Sequence, residues 1–194
     1  MILFLKIKII NKLIYLNLEM KNENKCLVVY FSYIGDTLNV GIVKKGNNEF
    51  LAKYISEYMK ADLFRLEDPT PYPEKFKQMK EYAKNLKYAK KRPRSKKGFP
   101  NLDPYNIIFL IYPIWNEDLP MIINTFIETN DFTDKKLIPL CTYEPSGICG
   151  TYQYIKDFIV EANVIVTEFG MEGTEARKPE AKKTIENWLK SLGY

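Results

Sequence analysis

The sequence predicts an α/β fold: a three-layer sandwich around a five-stranded parallel sheet of order 2-1-3-4-5. Three observations predict it. Short apolar runs alternate with longer helical patterns five times, as in successive βα units packed on a parallel sheet. The runs at residues 26–31 and 107–112 are apolar without alternation, as strands covered on both faces are. A chain of 194 residues with 46% apolar content suits one domain with a full core. In such a fold the ligand sits beyond the carboxyl ends of the strands, where the strand order reverses.

The elements follow in order. The first strand, 26–31, ends at Ser32, and a polar, glycine-containing loop follows. Gly46, Asn47, Asn48 and Glu49 then lead into a helical pattern over 50–60. A strand, a small-residue loop and a helix N-terminus together make an anion site, because free N–H groups and the helix dipole both favour negative charge. An ordinary turn capped by Asn47 or Asn48 explains the same residues equally well. The loop has neither the G-x-G-x-x-G nor the G-x-x-x-x-G-K-[ST] pattern.

Residues 61–67 read as a short strand near a sheet edge. Pro69, Pro71 and Pro73 then forbid regular structure. Pro73 and Glu74 open a helix whose apolar face is Phe76, Met79, Ala83 and Leu86, and which ends before Pro93. The third strand, 107–112, stops at Pro113. A helix follows from Pro120 to about Glu128. The fourth strand, 137–142, leads into a loop over 143–147, then a helix over 150–161. A last strand at 164–167 precedes an amphipathic helix over 178–192, with Ile185, Trp188, Leu189 and Leu192 on or near one face.

Composition narrows the chemistry. The chain has no histidine, which excludes imidazole acid–base catalysis, Ser-His triads and histidine metal sites. Its three cysteines form no even framework and no C-x-x-C pair, as expected of free thiols in a reducing, cytoplasmic setting. The net charge is +5. Residues 74–97 carry eleven Lys/Arg against two Glu and read as the solvated face of a helix. No aromatic-and-basic interleaving points to nucleic acid. Residues 1–19 are apolar but studded with Lys6, Lys8 and Lys12. They contain no run near the ~20 residues needed to span a bilayer and no clean signal-peptide pattern. They are expected to be an upstream extension, with the native start at Met20 and one domain over 20–194; a weak membrane-surface anchor is the rival reading.

Three loops, after the first, third and fourth strands, converge on one sheet edge and carry the least ordinary residues. The segments VVYFS, KGNNE, PYP, YPIW…LPM and IPLCTYEPSG together resemble the flavodoxin-like family over residues 25–194, closest to bacterial flavodoxins with a lengthened first loop. The resemblance implies FMN as cofactor. It implies that Ser32, Tyr33, Gly46, Asn47 and Asn48 hold the phosphate; a shorter match through Ser32, Gly35, Asp36 and Thr37 is the rival, disfavoured because a carboxylate would face the phosphate. Pro113, Ile114 and Trp115 match the loop along one side of the isoalloxazine ring. Thr142, Tyr143, Glu144, Ser146 and Gly147 match the loop on the other. Trp115 and Tyr143, the only aromatics in those two loops, are the expected ring neighbours, with stacking worth ~1 kcal/mol beyond area burial.

The chain departs from the family pattern at Asn48, Asn116, Glu117, Tyr143 and Pro145, and Glu117 brings a negative charge towards the ring. The resemblance implies an electron carrier that needs no catalytic side chain. The chain is basic where carriers are commonly acidic, which either counts against the carrier role or implies an acidic redox partner. An FMN-dependent NAD(P)H:quinone-type reductase and a flavin-free binding module are the alternatives.

Overall fold

The computed structural model describes residues 25–194, so the expected extension over 1–19 lies outside the described residues. The parallel strands are β1 (Cys26–Phe31), β4 (Asp62–Leu66), β5 (Ile107–Pro113), β6 (Lys136–Tyr143), β7 (Asn163–Val164) and β8 (Met171–Glu172). They run in the order β4-β1-β5-β6-β7, with β8 pairing the far end of β6. This is the predicted order, with β4 as an edge strand. Two more strands, β2 (Gly35–Thr37) and β3 (Gly41–Val43), form a separate antiparallel hairpin inside the lengthened first loop. From sequence this stretch is a polar, glycine-containing loop.

Among the described residues five α-helices cover the sheet: α1 (Asn47–Met59), α2 (Phe76–Tyr88), α3 (Met121–Thr129), α4 (Thr151–Phe158) and α5 (Glu180–Ser191). Alternate residues of each central strand face opposite layers. Val29, Phe31, Leu110 and Tyr112 pack with Ile122, Phe126, Tyr152 and Ile155 of α3 and α4. Val28, Tyr30, Phe109 and Ile111 pack with Leu51, Ile55, Ile185 and Leu189 of α1 and α5. The all-apolar runs of β1 and β5 therefore have the burial a doubly covered sheet requires. Among the described residues no helix is long and apolar enough to cross a membrane.

Two boundaries differ from expectation for identifiable reasons. α2 starts at Phe76 rather than at Pro73, because the hairpin occupies the preceding carbonyls. The Tyr33 hydroxyl donates to the carbonyls of Pro73 (2.6 Å) and Glu74 (2.9 Å), and the Asp36 N–H donates to Glu74 (2.7 Å). The Asp36 carboxylate then accepts the Phe76 N–H at 3.3 Å, acting as the cap that Lys75 lacks.

The fifth strand is not a run over 164–167 but is split into β7 and β8. Between them the chain leaves the sheet, and Phe169 stacks on Trp188 with centroids 4.9 Å apart. The gap is bridged by a side chain: the Tyr152 hydroxyl accepts the Cys141 N–H (2.8 Å) and donates to the Phe169 carbonyl (2.9 Å). A tyrosine thus stands in for a ladder bond.

Candidate functional site

β1, β5 and β6 end side by side, and the loops beyond them enclose a cleft of about 440 Å³. At one end is the N-terminus of α1. Gly46 is the N-cap and supplies no side-chain bond. The Ser32 hydroxyl reaches over from the end of β1 to accept the Glu49 N–H at 3.2 Å. Asn47 and Asn48 do not cap the helix. Asn48 Nδ2 donates to the Phe31 carbonyl at 3.1 Å, while Asn47 Oδ1 accepts from Arg177 at 3.1 Å. The backbone N–H groups of Asn47 and Asn48 keep no acceptor among the described residues. Asn48 Oδ1 is buried and also lacks a partner.

Gly46 has no substitute at this point. A Cβ there would collide with the Tyr33 carbonyl oxygen and the Ser32 hydroxyl. Arg177 braces the same turn, donating to the Lys45 carbonyl at 2.8 Å, with its guanidinium 4.9 Å from the Phe50 ring. Lys45 lies over that ring at 3.9 Å. Two cations therefore flank the helix end that an anion would meet.

The other end of the cleft lies between two loops. Pro113, Ile114 and Trp115 line one side; Thr142, Tyr143, Glu144 and Ser146 line the other. Trp115 meets Phe31, Tyr33 and Tyr72 edge-on, at 5.3, 5.8 and 5.1 Å between centroids. Its main chain pairs with Asp118 through N–H···O bonds of 3.0 and 3.1 Å. The two residues between, Asn116 and Glu117, have φ of 49° and 60°, the mark of a type I′ turn. α2 clamps this turn: Lys87 Nζ is 2.9 Å from Asp118 and 3.3 Å from the Asn116 carbonyl, and Asn116 Nδ2 donates to the Lys80 carbonyl.

Of the residues expected from sequence, Tyr33, Asn47, Asn48, Pro113, Ile114, Trp115, Thr142, Tyr143, Glu144 and Ser146 line the cleft together. Ser32, Gly46 and Gly147 do not line it; Ser32 and Gly46 adjoin the lining residues Tyr33 and Asn47 in the chain, and Gly147 closes a turn with its N–H on the Glu144 carbonyl at 3.1 Å. The rival match does not assemble. Gly35 and Asp36 belong to β2, Asp36 is spent on α2, and only Thr37 reaches the cleft.

Sequence reasoning missed a wall. Thr37 and Leu38 of the hairpin and Phe76, Met79, Lys80 and Ala83 of α2 also line the cleft. The signal is present in the α2 residues, whose spacing gives an apolar face without saying what that face covers. The hairpin tip is tied to the opposite loop, Asn39 Nδ2 donating to Glu144 Oε2 at 2.6 Å.

Burial shapes the proton equilibria here. Desolvation raises the Glu144 carboxyl above its ordinary value, with the Asn39 hydrogen bond opposing and Glu172 adding to it. Desolvation, then Asp36 and Glu74, push the Tyr33 phenol up to about 12. Tyr143 is raised as well, chiefly by desolvation. Both tyrosines are therefore neutral donors at neutral pH.

Comparison with known proteins places this arrangement. No protein of curated function matches the chain. Among solved structures, a provisionally identified flavoprotein from Bacteroides eggerthii is 26% identical, with a TM-score of 0.68 over 88% of this chain and 98% of that one. A second, from Bacteroides uniformis, is 24% identical, with a TM-score of 0.67 over 86% of this chain and 98% of that one. A Lactobacillus acidophilus flavoprotein, solved in complex with FMN, shares the fold at 15% identity, with a TM-score of 0.58 over 77% of this chain and 92% of that one. The sequence pattern of the family described as Flavodoxin matches residues 25–192, which include every element of the sheet and every loop of the cleft. On that match and this sheet order, the chain belongs to the flavodoxin family.

Proposed function

We propose that the cleft binds FMN and that the protein moves electrons between partners. The observation that carries this reading is the pairing of two unlike ends in one cleft. One end offers unpartnered amides at the start of α1; the other is flanked by Trp115 and Tyr143. A phosphorylated, flat, apolar molecule needs both.

The residues present fit the group. The amides of Asn47 and Asn48, with the Ser32 hydroxyl beneath, would hold the phosphate. Asn48 Oδ1, buried and unpartnered, would accept a hydrogen bond from a ribityl hydroxyl, relieving an unmet acceptor that otherwise costs about 1–3 kcal/mol. Trp115 and Tyr143 would flank the ring. Leu38 of the hairpin lines the cleft, and the Asn39–Glu144 bond ties the hairpin to the loop on the other side. FMN supplies the redox chemistry when bound, and the chain sets its potential by contacts and charge. Glu117 and Glu144 both line the cleft, so their charge disfavours extra negative charge on the ligand.

The test is a visible absorption spectrum of protein purified without added flavin, repeated after FMN addition and gel filtration. Retained flavin bands are expected. A colourless protein in both samples overturns the reading. With flavin retained, reduction by a protein donor and no NAD(P)H oxidation with quinone is the carrier's behaviour; rapid NAD(P)H oxidation with quinone instead marks a reductase.

A further inference from the structure

We propose that an acidic protein, the electron-transfer partner, docks on the exposed basic face of α2 and the loop after it, beside the mouth of the cleft. This rests on the electron-transfer reading above. Three observations carry it.

The first is charge segregation. Residues 74–97 hold eleven Lys/Arg against two Glu, while the rest of the described chain holds fourteen Lys/Arg against twenty Asp/Glu. The positive charge is therefore a local patch on an otherwise acidic body. Such a patch steers and orients an oppositely charged partner.

The second is placement. Lys77, Lys80, Lys84 and Lys87 recur at alternating spacings of three and four, which puts them on one face of α2. That stripe runs along the rim of the cleft. Lys80 lines the cleft itself, and Lys87 is bonded to the Asn116–Asp118 turn that forms its wall. Lys77, Lys80 and Lys84 are exposed and have no ion pair among the described residues. A protein held by this face is close enough to the cleft for an electron to pass between its centre and the flavin, with no bond made or broken.

The third is an anchor. Tyr88, the last residue of α2, is 73% exposed in the middle of the patch, with Lys84 Nζ 5.7 Å from its ring centre. Exposed tyrosine ringed by charge is a frequent centre of protein interfaces. On the cleft's other walls the charged side chains are Glu117 and Glu144, which repel an acidic protein. Approach over α2 thus brings an acidic protein to the cleft across cations rather than carboxylates. A nucleic acid would meet the same lysines, but it has no electron to exchange with the cleft.

The test uses a small acidic iron–sulfur ferredoxin as the probe and basic cytochrome c as its counterpart. Binding of the oxidised probes is measured by calorimetry on both FMN-loaded and FMN-free protein. Reduction of the FMN-loaded protein by reduced ferredoxin is followed by stopped flow. The variant is Lys77→Glu/Lys84→Glu, which changes no residue lining the cleft.

Expected are ferredoxin binding and reduction that fall by at least ~10-fold in the variant, and by a similar factor as salt is raised across the screening range, with FMN uptake and melting unchanged. Equal affinity and rate in variant and wild type overturn the proposal. So does tighter binding of cytochrome c than of ferredoxin, or displacement of ferredoxin from the patch by equimolar single-stranded DNA. If no FMN is taken up, the functional reading fails, while calorimetry on the flavin-free protein still decides whether the patch binds the acidic probe.

Discussion

Gly46 carries more of the site than its size suggests, because the end of β1 and the start of α1 touch through it. Gly46→Ala is expected to push the first turn of α1 off Ser32 and Tyr33, abolishing FMN retention after gel filtration and lowering the melting temperature. Retention equal to wild type would show that the turn tolerates a methyl group. Tyr152 is a second single-residue support. Tyr152→Phe leaves the Cys141 N–H and the Phe169 carbonyl without their shared partner, and is expected to destabilise the fold by roughly 2–4 kcal/mol in urea denaturation, with little change in flavin uptake. At this scale the sequence was readable where residue type was unusual for its position. Trp115, Tyr143 and the Gly46-Asn47-Asn48 run fall where a strand ends or a helix begins, and so invite a ligand explanation. Phe76, Met79 and Ala83 show only an apolar helix face in the sequence, because such a face packs on protein or lines a ligand cleft with the same residues. Tyr152 gave no warning, since its bond joins atoms far apart in the chain.

Elements show the same division. Every strand of the sheet but one, and every helix, was present in the periodicity, because burial on two faces or one face writes itself into residue spacing. The split fifth strand was not, because Phe169 leaves the sheet for a contact with Trp188 that local pattern does not encode. The hairpin escaped because strands of three residues are too short to alternate visibly. Helix and turn ends also hold an opportunity. α2 closes with the Lys90 and Lys91 N–H groups on the carbonyls of Lys87 and Leu86 (3.0 and 2.9 Å), a Schellman pattern, yet the left-handed position is Lys90 at φ 48°. Glu117 occupies a similar conformation in the I′ turn. Lys90→Gly and Glu117→Gly are each expected to stabilise the protein by about 1 kcal/mol, read as a shifted urea midpoint at constant slope. A loss of stability in either would mean that its side chain makes contacts outweighing the backbone strain.

For the whole molecule, the titratable groups set an asymmetric response to pH. With no histidine, little titrates near neutrality, so stability is expected to be flat from about pH 6 to 7.5. The alkaline side is different. Burial pushes the Cys26 thiol up to about 11 and the Cys141 thiol up to about 12, and Tyr33 and Tyr105 reach about 12. Tyr112 and Tyr152 are raised as well. Each of these groups keeps its proton longer folded than unfolded. Their contribution is therefore complete below the unfolded values of 9.0 for cysteine and 10.0 for tyrosine, and it is lost as pH rises from there through the folded values. A urea midpoint that declines steadily above about pH 9 is the expected result; a midpoint constant to pH 11 would contradict the burial of these groups.

The split strand has a bearing on how the protein behaves among its own copies. A sheet invites a neighbouring chain where an edge offers a long, flat row of free N–H and C=O groups. Beyond β6 that row is broken: β7 and β8 are two residues each, and the gap between them is sealed from within by a phenol. The opposite edge, β4, has five residues and carries Asp62 and Arg65 among them. Neither border is a good template for a foreign strand, so the fold guards itself against edge-to-edge aggregation by interrupting one margin and charging the other.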